Sequence, residues 1–345
     1  MDVTYCGLDV GSSTCHVVGK TKDGDRVADR KFDTQADRIR EVFEKIPGEI
    51  HVHLEASELA GWVRQILRSC PRIRRVLVSN PKENSWIAKD ANKNDRRDAG
   101  KLADLLRSGL ADAHAVYYSD DPDRAVFKQI VQHYEKLTWQ ESKLKMQIKS
   151  RLRQQGVLAR GETVYTPEGR TAFVQQVLSP PAREMIGQRF TLLDRTLEGQ
   201  KEAYAWMRKT SKRYPEIVRF DEVPGVGLIT ACRFSAYVQT PDRFGSKRKL
   251  WRYCRLGIAK RSSDGSPVSR QALDWNGVGS LKDVSRKAFE GAMRTRKDNL
   301  FQRAYRASVP RSGNPTHARL STQRKIVAVL RALWKEGTHY QDDKG

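Results

Sequence analysis

A chain of 345 residues is long enough for two domains, or for two joined by an extended element, each burying a core of its own. Its 64 lysines and arginines against 41 aspartates and glutamates leave a formal net charge of +23, which favours a polyanionic partner, nucleic acid before an acidic membrane surface. The sequence lacks an apolar run of membrane-span length and a signal-peptide core, and its five cysteines form no CxxC pair. They read as reduced, mostly buried thiols of a cytosolic protein with no membrane partner.

The first segment, Val3–Val10, is short, apolar and β-rich, and ends at Gly11-Ser12-Ser13. Cys15–Lys20 and Arg26–Phe32 read as two further strands around an Asp23-Gly24-Asp25 hairpin turn. A helix from Thr34 to Lys45, a strand over Glu49–Glu55, a helix over Leu59–Arg68 and a strand over Arg74–Ser79 follow. Helix in two pieces is expected between Asn84 and Leu110. Three antiparallel strands and then alternating helix and strand make an α/β pattern, in the order expected of an RNase H-like sheet.

From Arg124 to Gln155 apolar residues recur at helical spacing: Val126, Ile130, Leu137, Leu144, Ile148 and Leu152. The spacing predicts a long helix with coiled-coil-like packing. A break at 156–169 precedes more helix through Lys212, as in an antiparallel hairpin or an oligomerisation arm. Val223-Pro224-Gly225-Val226-Gly227 then opens a helix, a very basic stretch runs from Arg243 to Arg270, and helices are expected over 281–308 and 318–336 with a turn at Pro310–Pro315. Three regions result: an α/β unit over 1–118, a helical arm over 119–212 and a mostly α region over 213–345.

Four acids stand out. Asp9 closes the first strand and Glu55 the fourth, while Asp95 and Asp98 are spaced to share one helix face. They meet only if that helix packs across the sheet, and once together they repel unless cations sit among them. Magnesium suits such a set, and two ions can stabilise the attacking and leaving oxygens of a phosphodiester displacement. The plain alternative makes Asp95 a helix cap. An acid at the inner end of an apolar strand, as at Asp9, is harder to explain without a partner.

GLDVGSSTCHVV, HLEAS and NKNDRRDAGKLADLLR resemble the D, E and DxxD motifs of the insertion-sequence DEDD recombinases, the IS one-ten family, which is related to the Piv DNA invertase and includes the bridge-RNA-guided recombinases. The similarity continues through VPGVGLITA, LWRYCRLGIAKRSSDGSPV and the helix ending LRALW. It implies a RuvC-like nuclease domain over 1–118 with Asp9, Glu55, Asp95 and Asp98 holding two Mg2+ ions, a helical arm, and a C-terminal transposase domain. It also implies a serine nucleophile that holds DNA covalently, donor and target duplexes as substrates, a structured noncoding guide RNA, and a homo-oligomer, dimer or tetramer. Two places depart from the pattern. Thr14-Cys15-His16 stands where a lysine is common, and the serine motif, usually Ser-Gly, reads Arg261-Ser262-Ser263-Asp264-Gly265. Ser263 is the first choice of nucleophile and Ser262 the second, against the reading that both belong to an ordinary polar turn.

Lys247, Arg248, Lys249, Arg252, Arg255, Lys260 and Arg261 crowd around Trp251 and Tyr253, which suits phosphate and base contacts better than a solvated charged face. The Pro-Gly-Val-Gly turn is similar to a helix-hairpin-helix element, and equally to a tight interhelical turn. His51 and His53 share a strand face with Glu55 and are read as a polar sheet face, outside the metal set. Three other functions are weighed: a junction resolvase hydrolysing with water, a non-catalytic basic nucleic-acid-binding protein, and an actin-like sugar kinase suggested by Gly7–Thr14. The kinase lacks its second glycine-rich loop, since the chain contains no Gly-Gly.

Overall fold

In a computed structural model of the chain, residues 2–81, 94–259, 262–263, 266–267 and 272–342 are described. The chain divides into two compact units, Met1–Tyr118 and Ser119–Gly345.

The first unit runs β1 (Val3–Val10), β2 (Thr14–Lys20), β3 (Arg26–Asp33), α1 (Ala36–Glu44), β4 (Glu49–Glu55), α2 (Ala60–Arg68), β5 (Ile73–Ser79) and α3 (Asp95–Arg107). Its five strands lie in the order β3-β2-β1-β4-β5. β1–β2 and β2–β3 pair antiparallel, whereas β1–β4 and β4–β5 pair parallel. The hairpin between β2 and β3 turns at Gly24, whose φ of 103° suits a residue without a Cβ. Parallel neighbours cannot be joined by a tight turn, so α1 and α2 carry the crossovers.

Strand alternation gives the sheet two different faces. Cys6, Leu8, Val17, Ile50, Val52 and Leu54 bury one face against Ile39 and Phe43 of α1 and Val63, Ile66 and Leu67 of α2. The other face, carrying Gly7, Asp9, His53 and Glu55, receives α3. A Cβ at Gly7 would lie 1.9 Å from the Ala99 carbonyl oxygen and 2.4 Å from the Ala103 nitrogen, so strand and helix touch backbone to backbone there. The first helical piece expected between Asn84 and Leu110 lies outside the described residues.

The second unit begins with α4 (Pro122–Gln154), α5 (Pro167–Gln175) and α6 (Pro180–Ser211). Leu137 packs beside Gly199, Gln200 donates to Thr138, and Arg189 donates to Gln147, so α4 and α6 run antiparallel. Their far end closes on Ile148, Leu152, Val177, Ile186, Phe190 and Leu193. Helices α7 (Pro215–Asp221), α8 (Leu228–Val238) and α9 (Lys247–Tyr253) come next. Two short ladders, β6 (Ile258–Ala259) with β9 (Ala272–Leu273) and β7 (Ser262–Ser263) with β8 (Ser266–Pro267), lie between α9 and α10 (Gly279–Arg294). α11 (Leu300–Ser312) and α12 (Pro315–Glu336) complete the unit.

Phe127 and Val131 of α4 and Met207 of α6 share one core with Phe220, Phe234, Leu250, Leu281, Phe301 and Leu330. The base of the arm is therefore continuous with the C-terminal core.

Two boundaries differ from the sequence expectation. The helix predicted over 281–308 is two helices, because Asn299 caps a new start by accepting from the Phe301 and Gln302 amides. Pro310 lies inside the last turn of α11, and the chain turns instead at Gly313, with φ 59°, and at Asn314, which caps α12. All five cysteines are buried: Cys6, Cys15 and Cys70 in the first unit, Cys232 and Cys254 in the second. No helix among the described residues is long and apolar enough to cross a membrane.

Candidate active site

Asp9 is the penultimate residue of β1 and lies directly opposite His16 on β2. On its other side, Leu8 is in register with Leu54, so Glu55 ends β4 alongside the Asp9 end of β1. Helix α3 brings the remaining acids. Asn94 caps it, accepting from the Arg96 amide, which leaves Asp95 as the first helical residue and not the cap. Asp98 follows one turn later, just before the Ala99–Ala103 stretch that rests on Gly7.

The four charges meet at Asp9. Its carboxyl is pushed up from 3.8 to about 6, first by burial and then by the negative charges of Asp95, Asp98 and Glu55, against a smaller opposing pull from His16. Among the described residues no three carboxylates, imidazoles or thiols are gathered closely enough to share one ion. Asp95, more than half exposed, also faces Lys31 of β3 at 3.8 Å.

A neighbouring cluster escaped the sequence reading. His16 Nε2 lies 2.8 Å from Asp29 Oδ1, and Asp29 Oδ2 accepts from Arg96 Nε at 2.6 Å and Arg26 Nη1 at 3.1 Å. Burial pushes the Asp29 carboxyl up, but hydrogen bonds from His16 and Arg96 and the arginine charges bring it below the usual carboxylate range. The substitution pattern at Thr14-Cys15-His16 was the one available signal for it.

The two histidines of β4 have structural partners. His53 is fully buried, with Nδ1 2.9 Å from the Leu102 carbonyl and Nε2 2.8 Å from Ser79 Oγ, and burial lowers its proton affinity. His51 stacks edge-on against Tyr5 and faces Glu49 at 3.5 Å.

In the second unit, Ser262 and Ser263 form a two-residue strand, with Ser263 opposite Ser266. Lys260 and Arg261 lie outside the described residues. Lys247, Arg248 and Lys249 are exposed on the first turn of α9, which Ser246 caps. The rest of the basic stretch also has partners within the second unit. Trp251 is partly buried, donates to the Arg324 carbonyl and packs on the core, as does Tyr253, which stacks on Phe244. Arg252 is paired with Asp274 at 3.0 Å, and Arg255 donates to the Gly277 carbonyl. Their sequence neighbours are cationic, but α9 turns the apolar residues inward, as its helical period requires.

The Pro-Gly-Val-Gly turn also has a packing reason. A Cβ at Gly225 would lie 2.1 Å from the Ala288 carbonyl oxygen and 2.2 Å from the Ala292 nitrogen, so this glycine seats the turn on α10.

Two protein-family models match the chain. One, described as a DEDD transposase of the IS110 group, matches residues 6–156, and the other, described as a transposase of the IS116/IS110/IS902 family, matches residues 218–306. Together they cover well over half of the chain. No curated protein matches it.

Proposed function

This chain belongs to the IS110 family of insertion-sequence transposases, and we propose that it recombines DNA at a magnesium site formed by Asp9, Glu55, Asp95 and Asp98. One observation carries the reading: α3 and β4 bring Asp95, Asp98 and Glu55 close enough for their charges to add to burial in raising the carboxyl of Asp9 to about 6. A fold tolerates such crowding where a cation relieves it, and hard carboxylate oxygens are the donors that magnesium takes. The sheet order, with three antiparallel strands followed by two parallel ones, supports an RNase H/RuvC-like assignment of the first unit.

Bound magnesium supplies charge stabilisation at the attacking and leaving oxygens of a phosphodiester. The chain's own residues do the rest. Gly7 admits α3 to the sheet and so brings Asp95 and Asp98 toward the strand ends. Ser263, with Ser262 the second choice, attacks the scissile phosphorus. The serine proton leaves to a base, the P–O bond to the departing sugar oxygen breaks, and that oxygen takes up a proton. The phosphoserine ester keeps the bond energy for resealing without ATP. Exposed Lys247, Arg248 and Lys249 suit DNA or RNA phosphates. A guide RNA, a homo-oligomer built through the α4–α6 arm and a cytoplasmic location complete the reading. The net charge suits RNA as it suits DNA, and the rest follows from the resemblance of the motifs.

The kinase alternative is disfavoured by the family to which the chain belongs. Asp9→Asn and Asp98→Asn are expected to abolish strand cleavage on a supercoiled substrate while leaving DNA binding intact; normal recombination by either variant overturns the metal assignment. Ser263→Ala is expected to prevent a covalent protein–DNA adduct. An undiminished adduct moves the nucleophile to Ser262 or elsewhere, and cleavage without any adduct in the unaltered protein favours a water-using resolvase.

A further inference from the structure

Helix α3 is fastened to the sheet at three levels. Its C-terminal part is tied by Lys20, whose Nζ lies 2.6 Å from Asp104, and by Arg107, which donates to Asp104 and to the Lys22 carbonyl. Its middle rests on Gly7. Its first turn, where Asp95 and Asp98 project, is held by Arg96 reaching back to Asp29 on β3 at 2.6 Å. The Lys31–Asp95 contact at the same end is longer and exposed on both sides, so it adds little.

The end of α3 that needs the firmest hold is the one under repulsion. Asp9, Glu55, Asp95 and Asp98 drive this turn away from the strand ends, and Asp29 opposes them without belonging to the set. Both its oxygens are engaged, Oδ1 by His16 and Oδ2 by Arg26 and Arg96, which leaves it poorly placed to ligate an ion. Because His16 is the cross-strand partner of Asp9, a single carboxylate on β3 braces both β2 beside Asp9 and the helix opposite it.

We propose that Asp29 is a positioning residue, which through Arg96 holds the Asp95 and Asp98 end of α3 against the strand carrying Asp9 and so sets the site's affinity for a divalent cation. The metal half of this rests on the reading of the four acids given above; the anchoring half does not. Partners one step removed from metal ligands typically change affinity by about 10- to 100-fold when removed.

The test uses the full-length protein with MgCl2 as the probe. Melting temperature against Mg2+ concentration gives the midpoint of metal stabilisation, and hydrogen exchange of the metal-free protein follows the amides of residues 97–101. Two of these, Arg97 and Asp98, donate to the Asn94 carbonyl in the first turn. In Asp29→Ala the Mg2+ midpoint is expected to rise about tenfold, and the 97–101 amides to exchange about tenfold faster. Arg96→Ala should reproduce both changes, the double variant should add nothing further, and Asp29→Glu should recover most of the affinity. Asp29→Asn keeps the shape of the side chain and serves if the alanine variant does not fold. Unchanged exchange at 97–101, or a double variant whose effects sum, overturns the proposal. If the unaltered protein shows no Mg2+ response while Asp29→Ala still loosens 97–101, the anchoring stands and the four-acid metal reading falls.

Discussion

The two units each gather a cluster of charges, buried in the second and partly exposed in the first, and treat it in opposite ways. In the second unit, buried Arg233 donates to Glu135 at 2.5 Å and to Asp283 at 2.8 Å, and Tyr237 donates to the same Glu135. Although burial pushes the Asp283 carboxyl up, hydrogen bonds from Arg233 and Arg286 bring it down to about 2. Nearby, the almost fully buried Glu216 is matched by Arg124 and Ser235. In the first unit, burial and then the charges of Asp95, Asp98 and Glu55 outweigh the pull of His16 at Asp9, and the carboxyl there rises. Arginines bring Asp283 of the second unit down, whereas at Asp9 the neighbouring charges are mostly of its own sign.

That contrast predicts effects of opposite sign. The largest is at Arg233. Its replacement by alanine strands Glu135 and Asp283 without their cation and is expected to cost roughly 3–5 kcal/mol in denaturant unfolding; a loss below 1 kcal/mol makes the network ornamental and breaks the comparison. Next is Gly7→Ala, where a Cβ meets the backbone of α3 and is expected to cost roughly 1–3 kcal/mol. The same change should weaken any Mg2+ stabilisation, because it lifts the acids of α3 from the sheet. A variant as stable as the parent, with an unchanged Mg2+ response, removes the close helix–strand contact from the explanation.

The smallest effect has the opposite direction. Asp9 is easier to protonate when folded, so its folded carboxyl favours stability fully below 3.8, and that contribution disappears as pH rises through about 6. The full rise corresponds to about 3 kcal/mol, which solvent screening at a half-buried group reduces to about 1 kcal/mol. Metal-free Asp9→Asn is therefore expected to be more stable than the parent above pH 6, with the gain shrinking toward pH 4. Mg2+ should raise the melting temperature of the parent and leave the variant unmoved. A variant that is less stable at pH 8 sinks the view that the acids repel.

Local patterning carried much of this into the sequence. The strand Glu49–Glu55 has its predicted bounds, since apolar alternation and the Pro47-Gly48 stop act within a few residues. Asp9, Glu55, Asp95 and Asp98 were legible as strand-end and helix-start acids, and their charges do reach Asp9. What escaped depends on distant partners. The break before α11 is stabilised by Asp342, which accepts from the Leu300 amide. Gly7 looked like part of a phosphate loop because its packing against Ala99 and Ala103 joins residues far apart in the chain. Asp29 was one acid among many until β3 set it beside His16 and Arg96. The cationic neighbours of Trp251 and Tyr253 are plain in the sequence, but the packing of both rings on the core of the second unit depends on distant partners such as the Arg324 carbonyl.

The five sequestered thiols provide a ready chemical clock. A maleimide or iodoacetamide reagent meets almost no exposed thiol while the chain is folded, so labelling proceeds mainly as fast as the structure opens. Since Cys6, Cys15 and Cys70 belong to the sheet unit and Cys232 and Cys254 to the helical one, peptide mapping after a timed pulse reports the opening rate of each half separately. No probe has to be engineered, and the same pulse shows whether a nucleic acid steadies one half, both or neither.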